Sequence, residues 1–156
     1  MLDRHFRHAD GRGRWQGAWV LDAFAGTGAL AMEALSRGAA RVTAWDVSPR
    51  QAKALYDLAA TYPALTADQS SALTPPTTQA PVDLLFLDPP YGQGLVAQAL
   101  GTLEQRGWVG PQTLIYAETE QGVRLPSSFM KLEERTNAGS LLRSVSYTHL
   151  TLPTKA

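Results

Sequence analysis

The 156 residues predict an α/β domain, a doubly wound and mostly parallel sheet with helices on both faces and an antiparallel hairpin at its C-terminal end. Three observations carry this. Short and almost wholly apolar runs, residues 18–25 and 82–87 foremost, have the composition of strands buried on both faces, as parallel sheets require. Segments with apolar residues at helical spacing alternate with those runs, which is the βαβ pattern. Near the end, Asn137-Ala138-Gly139 offers a tight turn between two strand-like segments.

The elements follow in order. The first 17 residues are polar, with Arg4, Arg7, Arg12 and Arg14 beside His5 and His8, and read as a solvated lead-in; RNA contact is the alternative. Residues 18–25 form the first strand, broken by Gly26-Thr27-Gly28. Residues 29–37 place Leu30, Ala31, Ala34 and Leu35 at helical spacing and close on Arg37-Gly38, a cationic last turn and a C-terminal glycine. Residues 41–45 are the second strand, ending at Asp46. Ser48 then caps a helix whose first position is Pro49 and which runs towards Ala60. A weak strand near Leu65 and a Pro/Thr/Ser-rich stretch over 70–81 come next. The strand over 82–87 stops at Asp88-Pro89-Pro90-Tyr91, because neither proline can donate to a ladder. A helix is expected over 95–106 and a strand over 113–117, ending at Glu118. The hairpin strands lie near 129–135 and from Ser140 onward. Trp19 and Trp45 are expected in the core, Tyr56 and Met32 in helix packing.

The tail from Val145 to Thr154 has the look of a translated sequencing-library adapter, so 145–156 is set aside as non-native and 18–144 is taken as the domain. The alternative is a genuine closing strand continued by Val145, Tyr147 and Leu150.

Composition narrows the chemistry. Fourteen Lys plus Arg balance fourteen Asp plus Glu, which excludes a basic nucleic-acid coat and an acidic solvating chain as whole-chain descriptions. The absence of cysteine excludes disulfides, Cys-ligated zinc, iron–sulfur clusters and a thiol nucleophile. No 18-residue apolar stretch exists, and the N-terminal residues lack the apolar run of a signal peptide, so a cytoplasmic protein without membrane association is expected. No His/Asp/Glu spacing suits a metal, and no Ser or His is set as a nucleophile.

Three places carry the chemistry. Gly26-Thr27-Gly28-Ala29-Leu30-Ala31 matches G-x-G-x-x-A between a buried strand and a helix, a position where glycines let the backbone approach a nucleotide. A dinucleotide and S-adenosylmethionine both fit, and a turn without ligand is the bland alternative. Asp46, at the end of the second strand, can accept hydrogen bonds from both ribose hydroxyls of either cofactor. Asp22 discriminates: a carboxylate four residues before the first glycine repels a pyrophosphate and suits a methionine ammonium. Asp88-Pro89-Pro90-Tyr91 is the most specific signal. Its two prolines fix the backbone so that the Asp88 carboxylate and the Pro89 carbonyl face one small volume. An exocyclic amine fits there, with both hydrogens on acceptors and its lone pair aimed at an electrophile, while Tyr91 stacks on the attached ring.

These segments, 20–39, Val82 to Tyr91 and Tyr116-Ala117-Glu118, resemble those of the class I S-adenosylmethionine-dependent methyltransferases. More narrowly, over about residues 18 to 143, the chain resembles the RsmD-type bacterial 16S rRNA guanine-N2 methyltransferases. The resemblance implies a Rossmann-like fold and methyl transfer to a guanine N2 amine of small-subunit rRNA, by a monomer acting on 16S rRNA or the assembling subunit. It implies a cofactor set of Asp22, Phe24, Gly26, Thr27, Gly28 and Asp46, with Asp68 on the adenine amino group. The implied catalytic set is Asp88, Pro89, Pro90 and Tyr91. The family's Arg-Pro-Thr segment before the first strand is missing, and Met1 is expected to fall inside the helix that normally follows it. Competing functions are another amino-group methyltransferase (DNA adenine or protein glutamine), an NAD-dependent oxidoreductase, and a non-catalytic fragment.

Overall fold

The computed structural model describes residues 15–89, 94–120, 129–136 and 142–149; the basic lead-in over 1–14 and the turn at 137–139 lie outside them. Strands β1 (Trp19–Asp22), β2 (Arg41–Trp45), β3 (Leu65–Asp68), β4 (Leu84–Leu87) and β5 (Leu114–Glu120) pair in parallel. Helices α1 (Ala29–Ser36), α2 (Pro49–Thr61) and α3 (Leu95–Gln105) connect them. Strand β7 (Leu142–His149) pairs antiparallel with β5 on one side and with β6 (Phe129–Thr136) on the other. The order across the sheet is β3-β2-β1-β4-β5-β7-β6. The chain therefore winds outward from β1 to β3 and returns to β4 on the other side of β1. That reversal opens a crevice at the carboxyl ends of β1 and β4.

Strand period sets the two cores. Val20, Val42, Ala44, Leu84 and Phe86 face α1 and α2, while Leu21, Trp45, Leu85, Leu87 and Ile115 face α3. Fully burying each such side chain contributes about 1.5–3 kcal/mol. Helix α1 approaches the sheet closely because its inner face is Ala31 and Ala34, both fully buried. Helix α2 starts as the sequence indicates, with Ser48 Oγ accepting from the Gln51 amide at 3.4 Å and Pro49 in its first turn.

Several expectations are corrected. The first strand is shorter than residues 18–25: beyond Asp22 the chain bonds to both neighbours in turn, the Ala23 amide to Phe86 and the Ala25 amide to Trp45. The polar lead-in ends earlier than residue 17, since Trp15 is 1% exposed and stacks on Phe86 at 5.3 Å between ring centroids. Tyr56 is only half-buried, 47% exposed, and its hydroxyl accepts from the Gln69 amide at 3.2 Å. Strand β7 takes in Val145 to His149 of the adapter-like segment. Alternation of Val145 and Tyr147 with Ser and Thr gives that segment the strand period whatever its origin.

Residues 69–83, between β3 and β4, contain neither helix nor strand and form a strap across the α3 face of the sheet. Where a helix would normally cover β1 and β2, three tryptophans fill the space. Trp108 meets Trp45 edge-on at 4.8 Å and Trp19 at 5.6 Å, and the Trp19 indole donates to Thr43 Oγ1. Thr113, 1% exposed, closes the strap's far end, donating to the Val82 carbonyl at 2.6 Å and accepting from the Gly110 amide at 3.0 Å.

Replacing Thr113 by Val keeps the shape and leaves both groups without this partner, so stability should fall by about 1–3 kcal/mol. Urea denaturation checks this, and an unchanged midpoint contradicts the account.

Candidate active site

A cavity of about 620 Å³ lies over the carboxyl edge of the parallel strands, within the range usual for small-molecule sites. Phe24 and Gly26 of the glycine loop, Asp46 after β2, and Asp88 and Pro89 after β4 line it. Residues 70–73 of the strap and Leu95 of α3 complete it.

The glycine loop is bent by Gly26 and Gly28, whose φ angles of 54° and 86° lie in the left-handed region. Their tasks differ. A Cβ on Gly28 would stand 3.0 Å from Leu55 and Leu58 of α2, so this glycine serves packing. A Cβ on Gly26 would meet nothing within 4 Å, because that glycine borders the open cavity. Asp46 holds the loop. One carboxylate oxygen accepts from the Gly26 amide and the other from the Ser48 amide, each at 2.9 Å. Each oxygen keeps a further lone pair.

Asp22 ends β1, 2% exposed and outside the cavity lining. Burial raises its pKa to about 7; the Phe24 backbone hydrogen bond opposes this, and repulsion from Asp88 and Asp46 adds to it. Three strands thus end in carboxylates that sense one another, and the described lining contains no Lys or Arg. The potential there favours a cation and opposes a pyrophosphate. Among the described residues, no group of three or more His, Asp or Glu is placed to hold a metal ion.

Of the residues singled out by sequence, Phe24, Gly26, Asp46, Asp88 and Pro89 come together in the cavity. Asp22, Thr27 and Gly28 are not in its lining. Asp68 is not brought to it either. It ends β3 exposed, on the sheet face that it shares with its register partner Trp45, with its carboxyl raised by desolvation, and its backbone carbonyl accepts from the Asp46 amide at 3.3 Å. Pro90 and Tyr91 lie outside the described residues. Sequence reasoning missed Val47, 62% exposed at the cavity mouth, and residues 70–73. The latter sit in a stretch without periodicity that offered no signal. Leu95 was legible only as a core-facing helix residue.

Strand order, glycine loop and acidic edge together define the Rossmann-like methyltransferase fold. A structure of an S-adenosylmethionine-dependent methyltransferase from Mesorhizobium loti shares this fold at TM-score 0.65, with 16% identity over 85% of this chain and 91% of that one. Membership is narrower. The chain belongs to the family described as Conserved hypothetical protein 95, whose model matches residues 6–144. It is similar to the ribosomal RNA small subunit methyltransferase D of Haemophilus influenzae, with 38% identity over 74% of this chain and 65% of that protein. The Escherichia coli K12 protein of the same name is 36% identical over 70% and 57%. A solved structure of a Haemophilus influenzae protein superposes at TM-score 0.77, 32% identical over 87% of this chain and 89% of that one. The chain thus spans roughly three-fifths of the length of the curated relatives it matches.

The buried carboxyl makes a pH prediction. With an unfolded value of 3.8 and a folded value of about 7, Asp22 binds more protons in the native state. Its contribution to stability is fully present below pH 3.8 and is lost as pH rises through about 7, by roughly 4 kcal/mol at most. Asp22→Asn should flatten that slope in urea denaturation between pH 5 and 8. A slope identical to that of the unmutated chain contradicts the assignment.

Proposed function

We propose that this chain is an enzyme that transfers a methyl group from S-adenosylmethionine to the exocyclic N2 amine of a guanine in 16S rRNA. The observation that carries the proposal is the acidic cavity at the strand-order reversal, whose described lining contains no Lys or Arg, with Asp88 and the glycine loop bordering the same space. The residues present fit the cofactor. The spare lone pairs of Asp46 accept from a ribose diol, Phe24 and Val47 offer apolar surface to the base, and Asp22 complements an ammonium. Gly26 leaves room for backbone approach, and Thr27 and Gly28 shape the loop. NAD would bring a pyrophosphate to the same carboxylates without a cation in the described lining to meet it.

When bound, the cofactor supplies a sulfonium-activated methyl, so no strong base is needed before transfer. The protein's task is positioning, which contributes up to roughly 7–11 kcal/mol. Asp88 and the Pro89 carbonyl accept the two amine hydrogens and aim the nitrogen lone pair. Pro90 fixes that geometry, and Tyr91 stacks on the guanine. As the amine becomes cationic, Asp88 stabilises the charge, after which the proton leaves to Asp88 or water. A paired or stacked guanine must first be splayed out, at a cost of a few kcal/mol.

The names of the relatives support rRNA of the small subunit as the substrate. The N2 amine is the acceptor that the sequence resemblance implies, and the substrate is 16S rRNA or the assembling subunit, bound by a monomer in the cytoplasm. We assign the methyltransferase domain to residues 18–144, with Trp15 added as part of its core and residues 145–149 as the remainder of β7, and leave 150–156 outside it.

Single-turnover transfer of labelled methyl to small-subunit rRNA, followed by nuclease digestion, tests this. The expected product is N2-methylguanosine; a methylated adenine or protein glutamine would point to the other amino-group acceptors. Asp88→Ala should slow transfer by about 100-fold or more while S-adenosylhomocysteine still binds, Asp88→Asn should be milder, and Tyr91→Phe milder still. A near-normal rate for Asp88→Ala overturns the amine-site assignment.

A further inference from the structure

Helix α3 meets the cavity twice. Its first residue, Leu95, lines the cavity directly, and one helical face further along holds the strap whose residues Ala72 and Leu73 line the opposite side. The contacts are specific. The Thr102 hydroxyl donates to the Ala72 carbonyl, the Trp108 indole donates to the Pro76 carbonyl at 2.7 Å, and the Thr78 amide donates to the Arg106 carbonyl at 3.2 Å. The strap supplies little structure of its own, with Ser71 accepting from the Leu73 and Thr74 amides and Thr78 Oγ1 bonding Ala80. Behind it, Gly110 is obliged to be glycine by proximity, because a Cβ there would lie 2.8 Å from the Pro81 ring. A segment with neither helix nor strand is thus clamped by α3 and the turn after it, at Ala72, where it forms a cavity wall, and at Pro76 and Thr78 beyond the wall.

We infer that Thr102, with Trp108, is a positioning residue of the cofactor site. Its hydroxyl holds the strap carbonyl at Ala72 and so sets the distance between the strap wall and the Asp46 side of the cavity. The inference rests on the cofactor proposed above, and it adds a residue that touches neither cofactor nor substrate. The Thr102 hydroxyl also lies within hydrogen-bonding distance of the Gln98 and Ala99 carbonyls of its own helix, at 3.2 and 3.1 Å. Its single proton is shared among these three acceptors, and of the three bonds only the one to Ala72 ties the helix to the strap. Replacing the hydroxyl with a methyl group puts an apolar surface against the Ala72 carbonyl and pushes the wall outward.

The test compares Thr102→Val with Thr102→Ser in the full chain, using Trp108→Phe as a second way of releasing the strap. Amide hydrogen exchange at Leu73, Thr74 and Thr78 reads the wall, and exchange in β1 and β2 is the control. Calorimetric titration with S-adenosylhomocysteine reads the site. In Thr102→Val the strap amides should exchange about tenfold faster, with β1 and β2 unchanged. S-adenosylhomocysteine affinity should fall about three- to tenfold, and Thr102→Ser should restore both. Unchanged strap exchange overturns the inference whatever the ligand does. Faster exchange with unchanged affinity overturns the link between wall and site. If the unmutated chain binds no S-adenosylhomocysteine, the cofactor proposal itself fails, and the assignment of Thr102 to a cofactor site falls with it.

Discussion

The constraint on which the site depends is the meeting of three carboxylates at one edge of a sheet with no cation among the described residues beside them. Parallel strands end together, so whatever residue closes each strand is delivered to the same place. Here β1, β2 and β4 deliver Asp22, Asp46 and Asp88. The protein accommodates the three charges in three ways. Asp46 is solvated by two backbone amides, which also ties down the glycine loop. Asp22 is buried and holds its proton to near neutral pH. Asp88 stays exposed at the cavity mouth. An edge built this way stores a preference for positive charge, which a ligand carrying ammonium and sulfonium groups would satisfy and a pyrophosphate would not.

Packing beneath the edge keeps it in place. An alanine inner face brings α1 close to the sheet, and Gly28 lets α2 press against the same loop. On the other face the tryptophan cluster and the strap do the work of a helix, and α3 fastens the strap. The cavity therefore has one wall built on the strand ends and one built on a segment held from outside, so the second wall is the one that distant residues can move.

Most of the parallel core was legible in the sequence. Its runs are short, apolar and flanked by turn residues, and caps such as Ser48-Pro49 have local mechanisms. Strand ends were legible less well: β1 stops at Asp22 although the apolar run continues to Ala25, because hydrogen bonding to two neighbours, rather than hydrophobicity, decides where it leaves the ladder. Trp15 was lost in a polar stretch, since a single aromatic has no period, and its burial depends on Phe86 far along the chain. The acidic residues of the site could be read because each closes or follows a strand a short way before a turn residue: Asp22 four residues before Gly26, Asp46 three before Pro49, and Asp88 directly before Pro89. The strap wall could not: Ala72 is held by Thr102 and the strap beyond it by Trp108, contacts that only the folded chain brings together.

The central claim is that this edge selects a nucleoside ligand that bears an ammonium group over a dinucleotide that bears a pyrophosphate. Titration of the full chain with S-adenosylhomocysteine and with NAD, side by side by calorimetry at pH 8 where Asp22 is ionised, tests it most directly. The account predicts saturable binding of S-adenosylhomocysteine, weakened by Asp46→Ala, and no binding of NAD. Binding of NAD at equal or higher affinity, or S-adenosylhomocysteine affinity indifferent to Asp46, would contradict it.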